Sequence, residues 1–164
     1  MNKIKKILAP TDLSELSRAG VRYALELAAL EGAEVIVYHV VRYNAAAPYY
    51  GLDDGFLLAA QLPTVGEILE EDRRLLAKFL RENFADLIAK VNIHPEVTVG
   101  TAYSKIVEKA AGENVDMIVM STHGRTGILH GLIGSVAEKV VRLAACPVLT
   151  IRPRKEKAST QAAA

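Results

Sequence analysis

The segment 121–135, whose sequence is STHGRTGILHGLIGS, places four glycines between an apolar run and a helical pattern. Glycines let a backbone turn with positive φ and let a ligand come close to the backbone amides. A helix that begins directly afterwards offers unpaired N–H groups and the positive end of its dipole, both of which attract anions. The segment therefore suits the phosphates of a polyphosphate ligand, although glycines that merely shape a long connection would give the same composition.

The glycine-rich segment differs from the common phosphate-binding and hydrolytic motifs. The sequence contains neither the Gly-Lys-Ser/Thr of a Walker loop nor the Gly-x-Gly-x-x-Gly turn of dinucleotide-binding folds. The Gly-x-Ser-x-Gly elbow of esterases is missing as well. The pattern therefore argues against a Walker-type NTPase and against a serine esterase.

Strands and helices alternate along the rest of the chain and must position this segment. Apolar runs predict strands over 3–8, 33–41, 93–99, 115–120 and 147–151. Helical spacing predicts helices over 13–30, 64–90, 101–111 and 135–144, the second beginning with a Thr64–Glu67 capping box. The stretch 42–63 lacks sustained periodicity and is predicted to be a long loop, and 154–164 is predicted to be a disordered tail.

This alternation predicts a single doubly wound α/β fold of the flavodoxin or Rossmann kind. We expect an open sheet of about five parallel strands in the order 3-2-1-4-5, with helices on both faces. The almost continuous apolar run 35–41 is typical of a strand that is covered on both faces. Ligands of such sheets bind beyond the carboxyl ends of the strands where the strand order reverses, so segments 10–12 and 121–135 are expected to meet.

Composition and charge fit one compact domain, assigned to residues 1–153. About half of the 164 residues are hydrophobic, which is enough for one core, and a formal net charge of +1 gives no footprint for nucleic acid. Cys146 is the only cysteine, so it cannot form an internal disulfide, and no Cys/His spacing indicates structural zinc. The sequence shows neither a signal-peptide pattern nor an apolar run of membrane-spanning length. We therefore expect a cytoplasmic protein with no membrane and no nucleic acid as partner.

Several motifs together resemble those of the universal stress protein family. Gly124, nine intervening residues and Gly134-Ser135 are similar to the family signature Gly-x-x-Gly, nine residues, Gly-Ser/Thr. The resemblance extends to KILAPTD at 6–12, to His39-Val40, and to SVAEKV at 135–140 with CPVL at 146–149. The first glycine of the signature is replaced by Ser121, whose Cβ resists positive φ. We expect this residue to be extended, or else nucleotide binding to be weaker.

The resemblance implies an adenine-nucleotide site for ATP, ADP or AMP, with Mg²⁺ as an additional cofactor. Asp12 matches the family aspartate that lies by the ribose and adenine, beside an apolar wall that includes Val40. The implied nucleotide-binding residues are Pro10, Thr11, Asp12, Val40, Met120, Ser121, His123, Gly124, Arg125, Gly134, Ser135 and Val136.

Three of these residues have ordinary structural roles as alternatives. Asp12 and Glu15 have the spacing of a capping box, as do Ser135 and Glu138. If Ser135 caps its helix, phosphates must share that helix end, and either Mg²⁺ offsets the negative charge or Glu138 turns outward. Arg125 either clamps the phosphates or is a solvated surface residue.

The function that the resemblance implies is a regulatory ATP-binding module that forms a homodimer. The expected interface is the edge strand that begins at Pro147 and ends at Ile151. One alternative is a slow Mg²⁺-dependent ATPase or phosphotransferase that uses the same pocket, and another is a nucleotide-free adaptor dimer. A phosphorelay receiver is excluded, because its chemistry needs an aspartate at the end of the third strand and 93–100 has none.

Overall fold

The computed structural model describes residues 3–42, 63–123 and 133–153. The predicted loop at 42–63 and the tail at 154–164 therefore lie almost wholly outside the described residues. The elements in chain order are β1 Lys6–Thr11, α1 Arg18–Glu31, β2 Glu34–Val41, α2 Val65–Ile88, β3 Asn92–Val99, α3 Ala102–Gly112, β4 Met117–Ser121, α4 Ser135–Leu143 and β5 Val148–Ile151.

The strands form one parallel sheet in the order β3-β2-β1-β4-β5, which confirms the predicted doubly wound fold. The register of β1 with β2 covers all six residues of β1, from Lys6 to Thr11. The register of β1 with β4 covers only Ile7 and Leu8. Because this pairing ends early, a crevice opens between the carboxyl ends of β1 and β4, at the point where the strand order reverses.

Two apolar cores lie on opposite faces of the sheet, as the alternation of side chains along a strand requires. On one face, Val35 and Val37 of β2 pack in the same core as residues of α1 and α2. On the other face, Ile36 of β2 packs with residues of α3 and α4. Helices therefore cover both faces, as expected for strands with almost continuous apolar runs.

The beginning of the chain differs from the prediction in two ways. Strand β1 continues through Pro10 to Thr11 instead of ending at Leu8. Pro10 is tolerated there because it lies beyond the residues that pair with β4, so its missing N–H costs no bond on that side. Helix α1 begins at Arg18 instead of Leu13, because the intervening residues form a turn held by their own side chains.

Helix ends follow the predicted signals more closely. Thr64 and Glu67 form the capping box, in which the Glu67 amide donates to Thr64 Oγ1 at 3.2 Å and the Thr64 amide to Glu67 Oε2 at 2.7 Å. Gly32 ends α1 in the left-handed conformation, at φ 68°. Helix α2 matches the single helix predicted over 64–90, and Phe84 has non-helical angles that kink it. Within the three described ranges, no helix is both long and apolar enough to cross a membrane.

Candidate functional site

A cleft of about 250 Å³ opens at the carboxyl ends of β1, β2 and β4 and against the N-termini of α3 and α4. It lies at the crevice that the sheet topology predicts. Ten of the twelve residues that the sequence singled out line it: Pro10, Thr11, Asp12, Val40, Met120, Ser121, His123, Gly134, Ser135 and Val136. The other two, Gly124 and Arg125, fall outside the described residues.

Other lining residues were missed by sequence reasoning: Ser17, Tyr38, Arg42, Ala102, Ile106, Thr122 and Ala137. Strand alternation could have found Tyr38, since it points to the same face as Val40, two residues further on. Helical spacing could have found the pair Ala102 and Ile106, which lie four residues apart on α3. Arg42 follows Val40 by two residues, just beyond the end of β2, so the same strand alternation points to it.

A chain of hydroxyl groups fixes the turn that follows β1. Ser17 Oγ donates to the Ser14 carbonyl oxygen at 2.8 Å. Because that proton is committed, the 2.8 Å bond between Thr11 Oγ1 and Ser17 Oγ must use the hydrogen of Thr11. Thr11 Oγ1 in turn accepts from the Leu13 amide at 3.0 Å. The donor and acceptor roles of the Thr11 and Ser17 hydroxyls are thus defined.

Asp12 is oriented by this turn and does not cap a helix. Its Oδ1 accepts from the Ser14 amide at 3.1 Å and also from the Ser14 hydroxyl. The predicted Asp12–Glu15 capping box is wrong, because α1 begins at Arg18 with Ser17 as N-cap. Leu13 has φ 63°, a left-handed conformation that is costly for a branched side chain. The turn thus maintains strain next to the carboxylate at the cleft.

Ser121 holds α1 against β4. It is the last residue of β4, in register with Ile151, so its backbone is extended as one of our two expectations states. Its Oγ accepts from the Gly20 amide at 2.9 Å. Gly20 is the third residue of α1, where amides have no partner within the helix, so Ser121 caps α1 from a distant part of the chain.

The N-terminus of α4 also lines the cleft. Its N-cap is Gly134, and no side-chain cap is present among the described residues, so the predicted Ser135–Glu138 capping box is wrong. The helix starts there because the Gly134 amide donates to the Thr122 carbonyl oxygen at 2.7 Å. Glu138 turns outward to Arg142, 3.9 Å away, as one of the two alternatives requires. The first-turn amides and the helix dipole therefore present positive charge to the cleft.

His123 extends the polar part of the cleft beside this helix end. Its Nδ1 lies 2.8 Å from Thr122 Oγ1. Its Nε2 is buried and has no hydrogen-bonding partner within the described part of the chain. Such a nitrogen is costly unless a polar group reaches it, which makes it a candidate ligand contact.

The remaining wall of the cleft is largely apolar. Val40, Ile106 and Met120 line it together with Tyr38. Burial raises the pKa of the Tyr38 phenol, so this side chain is neutral at physiological pH. Within residues 3–42, 63–123 and 133–153, no three His, Cys, Asp or Glu side chains are grouped so as to hold a metal ion. The arrangement suits an organic ligand with an apolar ring at one end and anionic groups at the other.

Fold and site together define a doubly wound α/β protein with a ligand cleft at its topological switch point. The model of the universal stress protein family matches residues 3–152, and the chain belongs to this family.

Individual relatives agree with this assignment. The universal stress protein MJ0531 of Methanocaldococcus jannaschii is 35% identical over 156 residues, which cover 94% of this chain and 86% of the relative. The solved structure of MJ0577 from the same organism superimposes with a TM-score of 0.73 at 26% identity, covering 94% of this chain and all of the other. A universal stress protein solved in complex with cAMP shares the fold, with a TM-score of 0.62, 22% identity and coverage of 92% and 98%.

Proposed function

We propose that this member of a stress-response family binds ATP, ADP or AMP in the cleft and acts as a regulatory binding module. The observation that carries the proposal is that the Asp12 turn, the N-terminus of α4 and an apolar wall line one cleft. A carboxylate, an apolar wall and a helix N-terminus match the ribose hydroxyls, the base and the phosphates of a nucleotide. A neighbour with the same fold is solved with cAMP, an adenine nucleotide.

Each part of the nucleotide has residues suited to it. The Asp12 carboxylate, already fixed by Ser14, would accept hydrogen bonds from the ribose hydroxyls. Val40 and Met120 would pack against the adenine. The amides at the start of α4, around Ser135, would bind phosphate oxygens, and Mg²⁺ would accompany a triphosphate. His123 Nε2 is an additional candidate for a phosphate oxygen.

The hydrogen bonding of Asp12, a carboxylate that lines the cleft, favours regulatory binding over ATP turnover. Hydrolysis requires a group that positions water for attack on the terminal phosphate. Asp12 Oδ1 already accepts from the Ser14 amide and from the Ser14 hydroxyl, so this oxygen is held by the turn. We therefore propose that Asp12 binds the sugar and takes no part in phosphoryl transfer.

We further propose that two copies associate through β5 in the cytoplasm. This strand lies at the edge of the sheet, with β4 as its neighbour. Its four residues are half-buried, and the nearby Val141 and Leu143 of α4 are exposed. An edge strand with apolar neighbours can pair with a second copy. Analytical ultracentrifugation should give twice the mass of the chain, and a monomer at micromolar concentration would exclude this interface.

Nucleotide binding can be tested on the purified protein. Denaturing it and analysing the supernatant by mass spectrometry should reveal a co-purified adenine nucleotide. Equilibrium dialysis of the stripped protein should show saturable ATP binding, weakened about tenfold or more in Asp12→Ala, since hydrogen bonds to a charged group contribute about 1.5–3 kcal/mol. Glu15→Ala is the matched control, because it removes a largely exposed carboxylate of the same turn that pairs with Arg18.

The outcome separates binding from catalysis and from an adaptor role. Wild-type protein that neither carries nucleotide nor binds added ATP would exclude the proposal and leave a nucleotide-free adaptor. Phosphate release from Mg·ATP that is well above background and lost in Asp12→Ala would instead favour the slow ATPase.

A further inference from the structure

His39 lies directly behind the cleft, on the other face of the sheet. Its neighbours Tyr38 and Val40 line the cleft, so strand alternation turns His39 toward α2. The side chain is only 4% exposed, so His39 lies in the core. Its Nδ1 lies 2.8 Å from the Thr11 carbonyl oxygen, and its Nε2 lies 3.2 Å from Oδ1 of Asp72 on α2.

Both partners of the His39 ring are hydrogen-bond acceptors. A carbonyl oxygen can only accept, and an ionised carboxylate can only accept. Because the Thr11 carbonyl oxygen needs a donor, Nδ1 carries the hydrogen of the 2.8 Å bond, and Nε2 faces the Asp72 carboxyl group.

This arrangement fixes the peptide group that carries Asp12. The Thr11 carbonyl oxygen belongs to the peptide bond between Thr11 and Asp12, so the His39 bond determines how that peptide is rotated. The Thr11 side chain is held separately, by Ser17 and by the Leu13 amide. With both ends of Thr11 held, the strained Leu13 and the neighbouring carboxylate have one arrangement.

We propose that His39 is a positioning residue, which acts through Thr11 to aim the Asp12 carboxylate at a nucleotide ribose, while Asp72 holds the imidazole ring in place. The proposal rests on the proposed function of the cleft, since the ribose contact belongs to that function. It also links α2 to the nucleotide site, because Asp72 lies on that helix.

Two substitutions separate the two bonds of His39. The side-chain amide nitrogen of asparagine can take the place of Nδ1, and that of glutamine the place of Nε2. His39→Asn therefore keeps the bond to Thr11 and loses Asp72, whereas His39→Gln keeps Asp72 and loses Thr11. Both place a neutral amide in the same buried position, so each is the matched control for the other.

We expect the two variants to differ both in amide exchange of the turn and in ligand affinity. In ligand-free protein, hydrogen exchange at the Leu13 amide should be about tenfold faster in His39→Gln than in wild type and nearly unchanged in His39→Asn. Adenosine should bind about tenfold more weakly to His39→Gln and within about threefold of wild type to His39→Asn. Binding of inorganic tripolyphosphate, which would contact only the α4 end, should be equal in all three.

Two results would overturn the positioning role. One is equal Leu13 exchange and equal adenosine affinity in the two variants while wild type binds ATP, which would leave the proposed function intact. The other is an Nδ1 without a hydrogen in ¹⁵N NMR spectra of the ligand-free protein, since the bond to the Thr11 carbonyl oxygen requires one. If wild type binds no nucleotide, the proposed function fails, and the Leu13 exchange alone decides whether His39 positions the turn.

Discussion

The hydroxyl of Ser121 accepts a hydrogen bond from the amide of Gly20, 2.9 Å away and 101 residues earlier in the chain. Ser121 occupies the position where the family signature has its first glycine. In this chain the serine that stands in place of the glycine has an extended backbone and caps α1. Its hydrogen bond with Gly20 therefore lies at the edge of the cleft.

Replacing Ser121 tests this capping role. Ser121→Ala leaves the Gly20 amide buried without an acceptor, so the free energy of unfolding should fall by about 1–2 kcal/mol. We expect ATP affinity to stay within about threefold, because the bond that is lost joins β4 to α1. Urea denaturation and calorimetry measure the two quantities. The control is Ser104→Ala, which removes an exposed hydroxyl on α3; equal stability losses in both variants would contradict the role.

Gly20 itself should be intolerant of any side chain. A Cβ there would lie 2.5 Å from the Ser121 amide nitrogen and 2.8 Å from the Met120 carbonyl carbon, both of them backbone atoms. Gly20→Ala should therefore push α1 away from β4 and cost about 1–3 kcal/mol, as overpacking does.

The matched control for Gly20 is another helical glycine with open space around it. A Cβ at Gly112 meets nothing within 4 Å, so Gly112→Ala should be neutral or stabilising by up to about 1 kcal/mol. Thermal unfolding of the two variants gives the comparison. A Gly20 variant as stable as wild type would show that the two elements are not packed this closely.

Replacing Gly134 should weaken binding of the phosphates more than binding of the base. A Cβ there would lie 2.9 Å from the Thr122 carbonyl oxygen, so Gly134→Ala must shift the start of α4. We expect ATP affinity to fall about tenfold and adenosine affinity to stay within about threefold, measured by titration calorimetry. Gly66→Ala, in the first turn of α2, is the control because its nearest contact is an ordinary 3.8 Å. An equal loss for ATP and adenosine would argue against phosphate binding at this helix.

Acid stability should depend on Asp116, which joins the start of the chain to β4. The amides of Lys5 and Lys6 donate to its Oδ2 at 2.8 and 2.9 Å, and these bonds lower the pKa of the carboxyl. A folded pKa below the unfolded value, about 3.9, stabilises the protein above that value, and the gain disappears as pH falls through the folded pKa. The urea midpoint of the wild type should fall as the pH is lowered from about 6 to 3, and Asp116→Asn should make this fall smaller. Glu15→Gln is the exposed control. An equal fall of the urea midpoint in wild type and in Asp116→Asn would contradict the role of Asp116.

Local patterns in the sequence predict most of the fold. Period-two and helical spacing fix the types of the elements, and the continuous apolar run of β2 predicts a parallel sheet covered on both faces. Local signals also fix the Thr64 cap and the Gly32 stop. The predicted carboxyl-end crevice follows from topology alone, which is why residues as distant in sequence as Asp12 and Gly134 could be assigned to one site.

The errors occur where other hydrogen bonds, local or tertiary, compete with a motif. Of the three sequences with capping-box spacing, Thr64–Glu67 forms the box, whereas those at Asp12 and at Ser135 adopt other structures. Asp12 bonds the nearer Ser14, and the bond from Gly134 to Thr122 starts α4 one residue earlier than the motif indicates. Capping boxes are defined by spacing, and spacing does not record bonds to partners far along the chain.

In the proposed function, one nucleotide spans the cleft from Asp12 to the N-terminus of α4. A crystal structure of the protein grown with ATP would show whether it does. We expect the ribose hydroxyls within hydrogen-bonding distance of the Asp12 carboxylate and phosphate oxygens at the amides around Ser135. Nucleotide bound in another place, or an α4 N-terminus without phosphate while the base occupies the cleft, would exclude this binding mode.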